Sequence, residues 1–129
     1  MIDRDNSGHV ILVVDDHEIN REVLSVYLGY GGYTVIEAAD GLEAVRIATS
    51  ELPHLILMDL SMPVLDGYGA VRLMREVPAI AKVPIVACTA HDSTTHRDQA
   101  MRQGFDEFLS KPLDFTALDS VIERFLKAA

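Results

Sequence analysis

Apolar runs and polar breaks alternate along this 129-residue chain in a regular rhythm. Val10–Val14 (VILVV) is a short, β-branched run that stops at Asp15-Asp16. A continuous apolar run of this length reads as a strand buried on both faces. Helical spacing follows over Glu18–Tyr30, with Ile19, Val23, Val26 and Tyr27 on one stripe. Gly29, Gly31 and Gly32 end that helix. Tyr33–Glu37 is a second strand, and Asp40 with Glu43 three residues on spells a capping box. The helix it opens carries Leu42, Val45, Ile47 and Ala48 and stops before Pro53.

The rhythm repeats three times. His54–Met58 is a strand ending at Asp59, and a Pro/Gly-containing loop leads to a helix over about Tyr68–Glu76. Val83–Cys88 is a strand ending at Thr89, followed by a polar helix over Asp92–Gln103. Glu107–Leu109 is a short strand ending at Ser110-Lys111-Pro112, and the last helix covers Phe115–Lys127. Five strands alternating with five helices require crossover connections, hence a parallel α/β sheet with helices on both faces. Right-handed crossovers make it doubly wound. Residues 1–9 form a polar lead-in, and the domain runs from 10 to 127.

Composition narrows the function classes. With 20 acidic and 11 basic residues the formal charge is −9, so the chain lacks a basic footprint for nucleic acid and disfavours an anionic membrane surface. The single cysteine, Cys88, excludes an internal disulfide framework and a four-cysteine zinc site. The first residues lack the pattern of a secretory signal, and no apolar stretch approaches the roughly 18 residues of a membrane span. A cytoplasmic domain is the expectation.

In an open parallel sheet, ligands bind beyond the carboxyl ends of the strands. Those ends carry Asp15 and Asp16, then Asp59, Thr89 and Lys111, the last being one of three lysines in the chain. Carboxylates crowded in one crevice repel unless a cation sits among them. Mg²⁺, which takes oxygen ligands and is typically held by one or two carboxylates, answers this. A metal held by Asp15 and Asp16, with Lys111 opposite, would stabilise a phosphoryl group in flight. Asp59, alone after its strand, is the best-placed nucleophile for an aspartyl phosphate.

The segments VVDD (13–16), LMDLSMPVLDG (57–67), CTA (88–90) and SKP (110–112) closely resemble the receiver domain of two-component response regulators, from about Val10 to Lys127. The resemblance implies a flavodoxin-like fold with strand order 2-1-3-4-5. It implies Asp59 as phosphoacceptor and a metal shell of Asp15, Asp16, Asp59 and the Ser61 carbonyl. It also implies Thr89 and Lys111 as phosphoryl-sensing groups, a cis bond before Pro112, and Phe108 as the aromatic coupled to Thr89. Phe108 has no hydroxyl, so it cannot hydrogen-bond a partner through one. Ser61 and His91 fall at positions that vary across the family. Implied partners are a sensor histidine kinase or histidine phosphotransfer protein, and a downstream protein reading the fourth helix, fifth strand and fifth helix. The chain would be a signalling switch rather than an enzyme with a foreign substrate. The segment His17–Arg21 resembles receivers attached to hybrid histidine kinases.

Plainer roles stand beside these. Asp15 alone would be a helix cap, Thr89 a turn residue and Lys111 a solvated lysine. His17 reads as a helix-start residue and Cys88 as a small core residue. The Asp92–Gln103 helix reads equally as a solvated face or as a segment that shifts on switching. A nucleotide- or flavin-binding protein of this topology would want an anion-binding loop where Asp15-Asp16 puts negative charge. A Mg²⁺-dependent aspartyl-phosphate phosphatase would usually place a second carboxylate where Ser61 stands.

Overall fold

In a computed structural model, which describes residues 8–90 and 94–126, the alternation closes into one layered unit. Strands β1 (Val10–Val14), β2 (Thr34–Ala38), β3 (Leu55–Met58), β4 (Ile85–Thr89) and β5 (Glu107–Ser110) form a parallel sheet in the order β2-β1-β3-β4-β5. The helices are α1 (Glu18–Tyr30), α2 (Gly41–Glu51), α3 (Gly67–Arg75), α4 (Thr94–Gln103) and α5 (Phe115–Leu126). Boundaries differ from the sequence reading by a residue or two, and Pro84 precedes its strand rather than entering it. Asp92 and Lys127, assigned to helix ends, lie outside the described residues.

Strand alternation builds two cores. Ile11, Val13, Leu55, Leu57, Val86 and Cys88 point to one face and are covered by Leu24 and Leu28 of α1 and Leu118, Val121 and Ile122 of α5. Leu12, Val14, Ile56, Met58, Ile85, Ala87 and Phe108 point to the other, under Ala44 and Ala48 of α2, Ala70, Val71 and Met74 of α3, and Ala100 of α4. Each fully buried Leu, Ile or Val contributes about 1.5–3 kcal/mol. Small residues on α2 let that helix sit close to the sheet.

The α1 stripe is a correction. Ile19, Val23 and Val26 are 73%, 50% and 53% exposed, while Leu24 and Leu28 are buried and Tyr27 packs beside them. The helix carries two apolar stripes, and only Leu24 and Leu28 meet the sheet. Leu42 of α2 is likewise exposed, its core face being Ala44 and Ala48.

The expected capping box forms. The Asp40 carboxylate accepts from Glu43 N at 2.8 Å, and Glu43 reaches back to Ala39 N at 2.7 Å, one residue before the cap. Asp66 caps α3 by accepting from Gly69 N at 2.8 Å. Gly67 is required by close approach rather than by turn geometry. A Cβ there would lie 2.5 Å from the Asp59 carbonyl oxygen and 2.9 Å from Leu60 Cα. Packing of α3 against the end of β3 therefore depends on that missing methyl group.

Candidate functional site

Among the described residues, the buried polar or charged side chains are Asp15, Asp59 and Thr89. All three stand at carboxyl ends of neighbouring strands or one residue beyond. Parallel register brings them together: Val14 pairs with Met58 and Met58 with Ala87, so the residues that follow share one edge. Backbone bonds fix the edge, with Asp59 N donating to Val14 O and Lys111 N to Thr89 O.

Lys111 closes the pocket. Its Nζ donates to Asp15 Oδ2 at 2.7 Å and to Asp59 Oδ2 at 3.2 Å. The Lys111–Pro112 peptide is cis. Burial pulls the Lys111 pKa down, but the Asp15 hydrogen bond and the charges of Asp59 and Asp15 outweigh it, and the net shift is upward. The remaining oxygens are spoken for in part: Asp15 Oδ1 accepts from His17 N at 2.9 Å, and Asp59 Oδ1 from Ser61 N at 3.2 Å. Asp16 Oδ1 is shielded from solvent and accepts no hydrogen bond. With three carboxylates against one ammonium, the pocket carries a formal −2.

That arrangement fits a hard divalent cation. One ligand atom from each of Asp15, Asp16, His17 and Asp59 lies within 4.8 Å of the others. The donorless, buried Asp16 oxygen is the kind of atom a metal satisfies. Near the mouth, Ser61 lines a polar cavity with Met62, Asp66, Tyr68 and His96.

Sequence reasoning gathered Asp15, Asp16, Asp59, Ser61, Thr89 and Lys111 at this edge, and the fold places them there. Phe108 lies apart, buried in the core under α2, α3 and α4; its strand partner is Ala87, and it shares a sheet face with Thr89 two residues on. Cys88 is buried on the opposite face, and burial pushes its thiol up to about 12. His91 lies outside the described residues. Sequence reasoning missed the part played by Arg21 and read His17, which borders the acidic pair, as a helix-start residue. Arg21 of α1 donates to the Asp15 carbonyl oxygen at 2.9 Å and to Glu37 at 3.0 Å, bracing the turn that carries the acidic pair. His17 occupies the N-cap position of α1 yet makes no side-chain cap bond. The available signal for Arg21 was its place on the helix that follows Asp15-Asp16 directly.

Comparison with known proteins gives the site its family. The response regulator receiver domain model matches residues 11–123, and the chain belongs to that family. A probable transcriptional regulator, ycf27, of Porphyridium aerugineum is 38% identical over 91% of this chain. The chain spans 48% of that relative's length. A receiver domain of a Pseudomonas aeruginosa sensor histidine kinase, solved with a magnesium ion in its active-site cleft, matches with TM-score 0.86 and 36% identity, covering 93% of this chain and 98% of that one. The receiver domain of Saccharomyces cerevisiae Ssk1, solved with the histidine phosphotransfer protein Ypd1, matches with TM-score 0.85 and 32% identity over 91% and 88%. The chain is therefore a receiver domain of two-component signalling, a family of phospho-switches that work by aspartate phosphorylation rather than classical enzymes. No helix among the described residues is long and apolar enough to cross a membrane.

Proposed function

We propose that Asp59 is the phosphoacceptor, loaded from a histidine kinase or phosphotransfer protein in the cytoplasm, with Mg²⁺ held by Asp15, Asp16, Asp59 and the Ser61 carbonyl. The observation that carries this reading is the Lys111 ammonium bridging Asp15 and Asp59 beside the donorless Asp16 oxygen. When bound, Mg²⁺ supplies positive charge for the equatorial phosphoryl oxygens. An Asp59 carboxylate oxygen forms the new bond to phosphorus as the phosphorus–nitrogen bond to the donor's imidazole breaks. Lys111 then exchanges its contact with Asp59 for a phosphoryl oxygen, and the Thr89 hydroxyl donates to another. Dephosphorylation is the chain's own slow step, in which water takes the phosphoryl group as inorganic phosphate and the Asp59 carboxylate is restored.

Transmission follows from packing. Phe108 shares a sheet face with Thr89, so inward movement of Thr89 is felt there. The next residue back, Glu107, accepts from Arg97 of α4 at 3.0 Å and from Arg124 of α5 at 2.7 Å. A shift at β5 thereby reaches both helices, and the α4–β5–α5 surface is the output face. Surface ion pairs of this kind are worth under about 1 kcal/mol each, weak enough to rearrange.

The donor docks on the other side of the pocket. Val23 on the exposed stripe of α1 lines an apolar groove of about 570 Å³ together with Asp15, Lys111, Pro112, Leu113 and Phe115. Apolar surface beside a charged reaction centre suits a protein that presents its phosphohistidine there.

Intact mass after incubation with a small phosphodonor tests the reading. One phosphoryl group should be gained with Mg²⁺, none without it, and none in Asp59→Asn. Metal-independent loading, or unchanged loading in that variant, overturns it. Val23→Asp should slow transfer from a phosphohistidine protein about tenfold while small-donor loading stays unchanged; equal transfer rates would place the docking face elsewhere.

A further inference from the structure

His17 stands where a helix cap belongs but does not act as one. Asp, Asn, Ser and Thr are the residues whose side chains satisfy helix N-termini. The His17 imidazole makes no such bond, and its side chain is 69% exposed. Nδ1 lies 3.2 Å from Asp16 Oδ1 and 3.4 Å from Asp15 Oδ1. The nearer approach lacks hydrogen-bond geometry, since Asp16 Oδ1 still accepts no bond. The ring is thus poised over the acidic pair without a helix-capping role.

Distances point the same way. Ligands on one divalent ion sit about 2.0–2.2 Å from it, so two of them are at most about 4.4 Å apart. The four ligand atoms of Asp15, Asp16, His17 and Asp59 lie within 4.8 Å of one another. Their greatest possible separation therefore exceeds the span of one shared ion by a few tenths of an ångström. Lys111 engages Asp15 Oδ2 and Asp59 Oδ2, which leaves the His17 side of the cluster to a cation.

Ligand type then sets the choice of ion. An all-oxygen site suits Mg²⁺, whereas an imidazole nitrogen favours Mn²⁺ less than Co²⁺, Ni²⁺ or Zn²⁺. We propose that His17 is a nitrogen ligand of this centre and makes it a mixed site that takes a borderline transition-metal ion as well as Mg²⁺. The inference rests on the reading of the pocket as a metal centre. It adds a residue that determines which metal occupies it.

Pulsed electron paramagnetic resonance of the full chain with one equivalent of Mn²⁺ reads nitrogen ligation directly. Wild type should show ¹⁴N coupling to the ion, and His17→Phe should lose it. Calorimetric titration should find Co²⁺ bound about tenfold or more weakly by His17→Phe, with Mg²⁺ affinity within about threefold of wild type. Absence of ¹⁴N coupling in metal-loaded wild type overturns the role of His17. So does coupling that persists in His17→Phe, or an equal change for both metals. Asp16→Asn separates the two levels. If it abolishes Mn²⁺ binding while wild type lacks nitrogen coupling, only His17 is misassigned. If it leaves Mn²⁺ binding intact, the ion sits elsewhere and the reading of the pocket fails with it.

Discussion

The two ends of the sheet treat charge in opposite ways. At the amino ends of β4 and β5, Arg75 donates to the carbonyl oxygens of Ala81, Val83 and Gly104 and to Asp106 Oδ2, which also accepts from Ile85 N. The guanidinium and the carboxylate are matched, and every contact ties α3 to the strands. At the carboxyl ends, one ammonium serves Asp15 and Asp59, and Asp16 Oδ1 beside them has no donor. Satisfied polar groups stabilise; an under-satisfied cluster stores binding capacity at a cost in stability.

The contrast can be broken by substitution. Arg75→Met removes a donor from three carbonyls and leaves Asp106 with Ile85 N alone, and unfolding free energy in urea should fall by about 2 kcal/mol. Phosphoryl loading of the folded protein should be unaffected; a loss below about 1 kcal/mol would mean the amino end is not a staple. Lys111→Met leaves Asp15 and Asp59 facing each other uncompensated, at about 2 kcal/mol. It should retain some phosphoryl loading but no longer pass the change to the output face. If partner affinity still responds fully to phosphorylation, Lys111 has another role. Asp59→Asn removes one of the competing carboxylates and should raise stability by about 1 kcal/mol while abolishing loading. A destabilised Asp59→Asn would put the pocket in the same class as the Arg75 staple.

Acid and alkali sharpen the contrast with smaller effects. The raised Lys111 pKa means that its contribution is fully present below the ordinary lysine value and is lost as pH rises through the folded value. Stability should therefore decline on the alkaline side, and Lys111→Met should flatten that limb. Glu107 behaves conversely. Burial raises its pKa, but the bonds from Arg124 and Phe108 N and the charges of Arg97 and Arg124 outweigh it and hold the pKa low. Its contribution, present above the ordinary glutamate value, should fade as pH drops through the folded one. Urea titrations across pH check both limbs.

How much of this was legible in sequence depended on whether a feature has a period. Strand runs ending in Asp15, Asp59, Thr89 and Lys111 gave the parallel sheet and the site together, because such a sheet puts all carboxyl ends on one edge, whereas the strand order came from the family resemblance. The α1 stripe was misread because Ile19, Val23 and Val26 repeat as helically as Leu24 and Leu28, and only the sheet decides which pair is buried. The Arg75 staple binds backbone carbonyls up to 29 positions away, which leaves no side-chain pattern to find. His17 and Arg21 were visible as residues, but their use depends on where one turn of α1 points.

The central claim is that the under-satisfied end of the sheet exists to carry a phosphoryl group on Asp59. Borohydride reduction of phosphorylated protein, followed by peptide sequencing by mass spectrometry, locates an acyl phosphate by converting its aspartate to homoserine. The account predicts homoserine at position 59 alone, formed when Mg²⁺ was present during loading. Homoserine at position 15 or 16, or none in protein that has gained phosphate mass, would contradict it.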